Sequence, residues 1–261
     1  MRYARLLLMQ LRASTLLAMQ YRAEFLLDGF VEVFWMVPAI VPLAVVFRVR
    51  PNLGDWSFGE ALMVVGWFTF LQGVLEGAIN PSLVTVVDHI RKGTLDFVLL
   101  KPADAQFLVS TARFQPWQSI NVLTAIGIFV WGFVVLGRAP AAADVGVAML
   151  AMLAAVVALY SVWILTVSAA FYVVRIDNLS QLFNAVFDAA RWPVSVFPRL
   201  VRLLFTFVVP LALMTTYPAR ALLGSLPAAT LAGALGGAIL AFGVARLVWN
   251  ASIARYTSAG G

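Results

Sequence analysis

The chain has 261 residues, of which 62% are apolar and 11% charged, with a formal net charge of +6 and a mean hydropathy of +0.94. This composition excludes an ordinary soluble domain and predicts an all-α, polytopic membrane protein: one domain over residues 1–261, with room for about six spans and short loops. No basic block exceeds two residues, so the positive excess points to charge-biased membrane loops and away from nucleic acid; with no cysteine, thiolate and disulfide chemistry are excluded too.

Residues 1–28 predict an amphipathic helix lying on the bilayer surface. Arg2, Arg5 and Arg12 fall within about 80° of one another at 100° per residue, while Arg12 and Arg22 break any clean signal-peptide core, so this helix is expected to stay uncleaved. The first span follows at about Phe30–Phe47, kinked by Pro38 and Pro42. A polar loop at 48–60 leads to the second span, Ala61–Ile79.

Between Asn80 and Asp104 lies the densest polar insertion of the chain, NPSLVTVVDHIRKGTLDFVLLKPAD. Flanked by apolar stretches, it must lie in water at a membrane surface, and it carries helix start and stop signals of its own. Asn80 reads as a cap, with Pro81 at the first helical position. Leu83, Val86, Val87 and Ile90 recur at i, i+3, i+4 and i+7 as an apolar stripe able to dock into a partner. Arg91 and Lys92 complement the carbonyl end, and Gly93 supplies the residue that ends the helix. A second short turn (Leu95, Val98, Leu99) stops at Pro102.

The third span is expected at about Trp117–Leu136, then a tight connection at Gly137–Asp144. Val145–Val174 is uncharged throughout; its thirty residues would rise about 45 Å, more than a ~30 Å hydrocarbon core, so it must tilt or protrude. The last span, about Leu226–Ala245, carries Gly233 and Gly237 in a spacing that permits close helix contact. Residues 176–224 allow two readings. In one, Leu179–Phe197 is the fifth span and Pro198–Gly224 a re-entrant hairpin broken at Pro210; in the other, Val201–Tyr217 is the fifth span and 179–199 a surface helix. Fourteen of eighteen basic residues fall on the side of the termini in the second reading and eleven in the first, so both put the termini and the 80–104 insertion in the cytoplasm.

No GxxxxGK[ST] loop is present, and the only lysines, Lys92 and Lys101, precede Gly93 and Pro102. His89 is the sole histidine; it has neither metal-ligand neighbours nor a nucleophile–acid pair in sequence, so no metal or catalytic site is expected. Four charges remain as candidates for a polar lining or pathway. Glu32 and Glu76 lie within about one turn of span ends and are either interfacial or cavity-lining. Asp188 and Arg191, three residues apart, are either a local surface pair or part of the same lining.

Three segments resemble the permease subunit of type-2 ABC exporters, in the compact branch of about 260 residues. IRKGTLDFVLLKPAD (90–104) is similar to the family's cytoplasmic I-x-x-G-x-L-D-x-x-L-L-x-P element; the amphipathic N-terminal helix and the proline-punctuated stretch 197–224 complete the match. The resemblance implies six spans, an external re-entrant hairpin at 198–224, and a coupling helix at Leu83–Leu100 that inserts into a groove on an ATPase. Leu83, Val86, Val87, His89, Ile90, Arg91, Lys92, Gly93, Leu95 and Asp96 would form that coupling element. It further implies two copies of a separate ABC ATPase holding ATP and Mg, no cofactor or hydrolysis in this chain, a second permease chain (identical or paralogous), and a prokaryotic inner-membrane location. This chain departs from many relatives in lacking a glutamate beside Arg91, so its ATPase contacts are expected to differ. The rival reading is a proton-coupled secondary transporter using Glu32, Glu76 or Asp188, which leaves the capped element at 80–102 without a purpose.

Overall fold

A computed structural model describes residues 2–20, 22–172, 187–207 and 210–256. Helix α1 (Arg2–Gln20) and α2 (Arg22–Val49) lie on either side of Tyr21, which is outside the described residues, and α2 runs into the predicted first span. A two-residue antiparallel pair, β1 (Asn52–Leu53) and β2 (Trp56–Ser57), turns the chain into α3 (Phe58–Val74), which a reciprocal Ser57–Glu60 capping box starts. A π-helical turn, Leu75–Ile79, joins α3 to α4 (Asn80–Arg91). Then come α5 (Asp96–Leu99), α6 (Ala105–Ser110), α7 (Ser119–Leu136) and α8 (Ala142–Ser168). Among the described residues four helical runs are long and apolar enough to cross a membrane: Phe58–Arg91, Pro116–Leu136, Ala142–Phe171 and Ala228–Ile253. The chain is thus an all-helical, multi-pass membrane protein.

The second and third spans meet along a seam of small residues. A Cβ on Gly66 would sit 2.4 Å from the Phe129 ring, and one on Gly59 2.7 Å from Leu136. Gly59, Gly66 and Gly73 are seven residues apart, so they share one face of α3 and let α7 approach it. The last span, α11 (Ala228–Ile253), packs on α8 through buried Ala234, Ala238 and Ala245. Gly233 and Gly237, expected to make that contact, have nothing within 4 Å of a built Cβ. Alanine already permits the approach, and the glycines lie about 100° round the helix, where they are exposed.

Residues 173–186, and with them the first part (179–186) of the expected fifth span Leu179–Phe197, lie outside the described residues. The remainder departs from a regular span: two 3-10 turns, Asp188–Arg191 and Val194–Val196, are parted by Trp192 and Pro193 in extended backbone. Proline lacks an N–H and drives the residue before it out of the helical region. Helix α9 (Arg199–Phe207) is described as far as residue 207, residues 208 and 209 lie outside the described residues, and Pro210 is not helical. A second limb begins at Leu211, passes through the π turn Ala212–Thr216 and ends in α10 (Tyr217–Leu222). Val201–Tyr217 is therefore not one uninterrupted helix. The second limb is buried against α3 and α8, with Thr215 Oγ1 donating to Ala190 O at 2.8 Å.

The molecule thus has two distinct ends. At one, Trp56 Nε1 donates to Ser195 Oγ (2.8 Å), Arg220 stacks on Trp56 (5.5 Å) 3.9 Å from Asp55, and Arg138 donates to Leu223 O (3.3 Å). At the other lie α1, α4, α5, α6 and the end of α11.

Candidate functional site

The element at 80–104 is a continuation of the second span. Asn80 is not a cap: its φ of −59° and ψ of −46° are helical, and its side-chain amide donates to Glu76 Oε2 at 2.9 Å. The helix survives Pro81 because the π turn shifts the hydrogen bonding, with Asn80 N–H reaching back five residues to Leu75 O. Pro81 has no N–H for the Gly77 carbonyl four residues before it. That acceptor is taken by Gln115 N–H at 2.8 Å.

Gln115 belongs to a short non-helical strap, 113–115, that ties three elements together. Arg113 N–H donates to Ser82 Oγ (3.0 Å), whose hydroxyl donates to Arg113 O (2.6 Å). Phe114 N–H donates to Ser14 Oγ of α1 at 3.1 Å. Three successive N–H groups outside any helix thus find acceptors on α4, α1 and the π turn.

Helix α4 ends as its sequence requires. Gly93 has φ +65°, Gly93 N–H donates to Ile90 O (3.3 Å) and Thr94 N–H to His89 O (2.9 Å), the paired bonds of a Schellman stop. His89 Nδ1 and Thr94 Oγ1, 2.8 Å apart, close the turn where an apolar contact is usual. Lys92 lies 4.0 Å from Asp88.

The predicted coupling residues divide into two faces. Leu83, Val86 and Leu95 are 0–1% exposed and belong to the main core, with Val87 and Ile90 packed against it. Helix α4 rests on α8 and on the 3-10 turn Ala169–Phe171; that overhang of the longest uncharged span backs the element. The apolar stripe is therefore used within the chain, because α8 already covers it. What faces outward is Val84 (54% exposed), Phe97 (70%) and Leu100 (81%), with Arg91, Lys92 and Lys101 also exposed and Asp96 half-buried between them. Phe97 and Leu100 were missing from the expected set. Their signal was present: Leu95, Val98 and Leu99 claim the inward face of the second turn, which leaves residues 97 and 100, three apart, facing out.

Sequence reasoning also missed the anchor at the end of this element. Asp104 caps α6 by accepting Phe107 N–H at 2.9 Å and meets Arg246 of α11 through both carboxylate oxygens, Nη1 at 3.1 Å from Oδ1 and Nη2 on Oδ2. Arg246 Nη1 also donates to Gln106 Oε1 (2.8 Å), Gln106 Nε2 donates to Tyr160 Oη of α8 (2.9 Å), and Ser110 shares that hydroxyl at 2.7 Å. Asp104 N–H reaches Tyr3 Oη of α1 at 3.3 Å. The Arg246 hydrogen bond holds the Asp104 carboxyl below the usual carboxylate range, against a smaller opposing push from burial.

Among the described side chains, Glu76 and the Asp188–Arg191 pair are not brought together. Glu76 sits at the π turn beside Asn80. Asp188 and Arg191 pair with each other at 2.9 Å, and Arg191 lies over the Phe68 ring at 5.2 Å. Phe68 is eight residues from Glu76, about 12 Å along the helix. The backbone of Glu32 lies in α2; its side chain is outside the described residues.

No curated protein and no solved structure shows significant similarity to this chain. A family model described as ABC-2 family transporter protein matches residues 33–260, which include α3 to α11, the strap, the outward pair Phe97 and Leu100, and the Asp104–Arg246 anchor. The match spans more than four-fifths of the sequence, and the chain belongs to the ABC-2 transporter family.

Proposed function

We propose that the chain is the permease subunit of an ATP-driven exporter in a prokaryotic inner membrane, with both termini and the α4–α6 element cytoplasmic. Two permease chains, identical or paralogous, form the substrate pathway. Two copies of a separate ATPase bind ATP and Mg and close against α4 and α5. The observation that carries this reading is Phe97 and Leu100, both more than two-thirds exposed, at the tip of an element braced by α1, α8 and α11. An apolar pair displayed on a rigid support, rimmed by Arg91, Lys92 and Lys101, suits a groove with an acidic edge. Family membership supports a transport role, and placing hydrolysis in a partner accords with a sequence that contains no GxxxxGK[ST] loop.

ATPase closure pushes α4 and α5, and the strap and the Asp104–Arg246 anchor pass the displacement to the second, third and last spans. The proton-driven alternative draws no support from Glu76 and Asp188, which are engaged by different neighbours at different depths. The test is coexpression with a candidate ABC ATPase from the same organism: a complex should copurify, and the isolated permease should hydrolyse no ATP. Robust hydrolysis by the isolated chain would overturn the assignment.

A further inference from the structure

Away from the coupling element, α3, α7 and α8 diverge around a cavity of about 770 Å³ that opens sideways. It runs from Trp67 and Ile126 up to Gly137 and Arg138, and every other lining side chain is apolar. Val130, Val134 and Met149 on its open side are 60%, 73% and 54% exposed, so no part of the described chain covers it. Ile126 to Gly137 is eleven residues of helix, about 16 Å, close to the ~15 Å hydrocarbon depth of one leaflet.

At the mouth stands the single charge of the lining. Arg138 donates one Nη2 hydrogen bond to Leu223 O at 3.3 Å, which fixes the guanidinium over the opening. Among the described residues no carboxylate is within ion-pair distance of it. The nearby Asp144, at the start of α8, is turned to Gly224, its Oδ2 3.0 Å from where a Cβ would stand. A one-leaflet apolar groove ending in a guanidinium that has no carboxylate within ion-pair distance among the described residues matches an acyl chain attached to an anionic head.

We propose that this groove is a binding site for a phospholipid of the surrounding bilayer: one acyl chain lies between α7 and α8, and its phosphate sits on Arg138. Phosphatidylglycerol, with a net negative headgroup, is held in preference to phosphatidylcholine, whose trimethylammonium is repelled by the guanidinium. The site is independent of ATPase coupling. It requires only that the chain be embedded in a bilayer.

The full chain, purified in detergent with phosphatidylglycerol and phosphatidylcholine of identical acyl composition, would be examined by native mass spectrometry. Wild type should retain phosphatidylglycerol about fivefold over phosphatidylcholine, the discrimination expected of one basic side chain facing a headgroup of net negative charge in place of one whose phosphate is neutralised by its own trimethylammonium. Arg138→Gln should abolish that preference while still retaining lipid, and Arg138→Lys should restore it. Val134→Trp, at a lipid-facing position where added bulk meets no core, should fill the groove and reduce retention of both lipids. The proposal is overturned if wild type shows no headgroup preference, if the preference persists in Arg138→Gln, or if Val134→Trp leaves lipid retention unchanged. A Val134→Trp variant that alters the oligomeric state and not lipid content would also sink it, by making the groove a contact between chains.

Discussion

Replacing Asp104 by Asn tests how the coupling element is held. Asn keeps the size of the side chain and an oxygen to accept Phe107 N–H, so the cap of α6 survives. What disappears is the charge facing Arg246 and the second carboxylate oxygen that takes its Nη2; Nη1 keeps the remaining oxygen and Gln106 as acceptors. Both partners are about one-third exposed (36% and 33%), so the loss falls between an exposed ion pair at ~0.2–1 kcal/mol and a buried one broken on one side at ~3–5 kcal/mol. We expect about 1–2 kcal/mol, a fall in Tm of roughly 3–6 °C on the scaling for chains of this size, read from intrinsic tryptophan fluorescence in detergent. Arg246→Gln should cost a similar amount, and the double variant should cost less than the sum by about 1 kcal/mol. Because the folded carboxyl titrates below its usual value of 3.8, its stabilisation is complete above that value. The gap between wild type and Asp104→Asn should therefore be constant from pH 8 to about 5, then close as the pH falls through the folded value. A Tm within about 1 °C of wild type at pH 7, or additive single changes, would refute the anchor.

Other expectations follow from neighbouring residues. Gly93→Val places a branched side chain at φ +65°, which should cost about 1–2 kcal/mol and abolish ATP-dependent transport while membrane insertion remains normal. Phe97→Ala with Leu100→Ala should leave the Tm unchanged, since both side chains are largely exposed, yet lower ATPase copurification by about tenfold or more; unaltered copurification would remove this pair from the interface. Reversing charge at Arg91 and Lys92 should weaken the same complex, and high salt should mimic the effect in the wild type. Gly66→Ala should lower the Tm, because its Cβ falls 2.4 Å from Phe129, whereas Gly127→Ala, with open space around it, should not.

Much of this architecture is legible locally. Apolar runs mark the second, third, fourth and last spans because their length and lack of charge are one-dimensional properties. The stop at Gly93 is equally local, since glycine after a basic helix end needs only positive φ. The start at Asn80 misled because Asn-Pro after an apolar run has the composition of a cap; only the Glu76 side chain one turn back, and an acceptor for Gly77 supplied from residue 115, reveal that the helix continues. Which face of α4 is presented depends on α8, about eighty residues later, and the partnership of Asp104 with Arg246 spans 142 positions. Neither periodicity nor spacing reaches that far. The heptad of Gly59, Gly66 and Gly73 was visible but ambiguous, as glycines in a span pack against a neighbour only where a neighbour exists.

The unbroken run Phe58–Arg91 gives the second span a lever's geometry. It is about 51 Å long, and the strap grips it at Gly77 and Ser82. Taking Gly77 as the fulcrum, fourteen residues (about 21 Å) project toward Arg91 and nineteen (about 29 Å) toward Phe58. A sideways shift of 1 Å at Arg91 would then swing Phe58 by about 1.4 Å in the opposite direction, carrying with it the β1–β2 turn and, through Trp56, the segment at Ser195. A helix pivoting as one piece about that grip would turn an inward shift at one membrane face into an outward shift at the other.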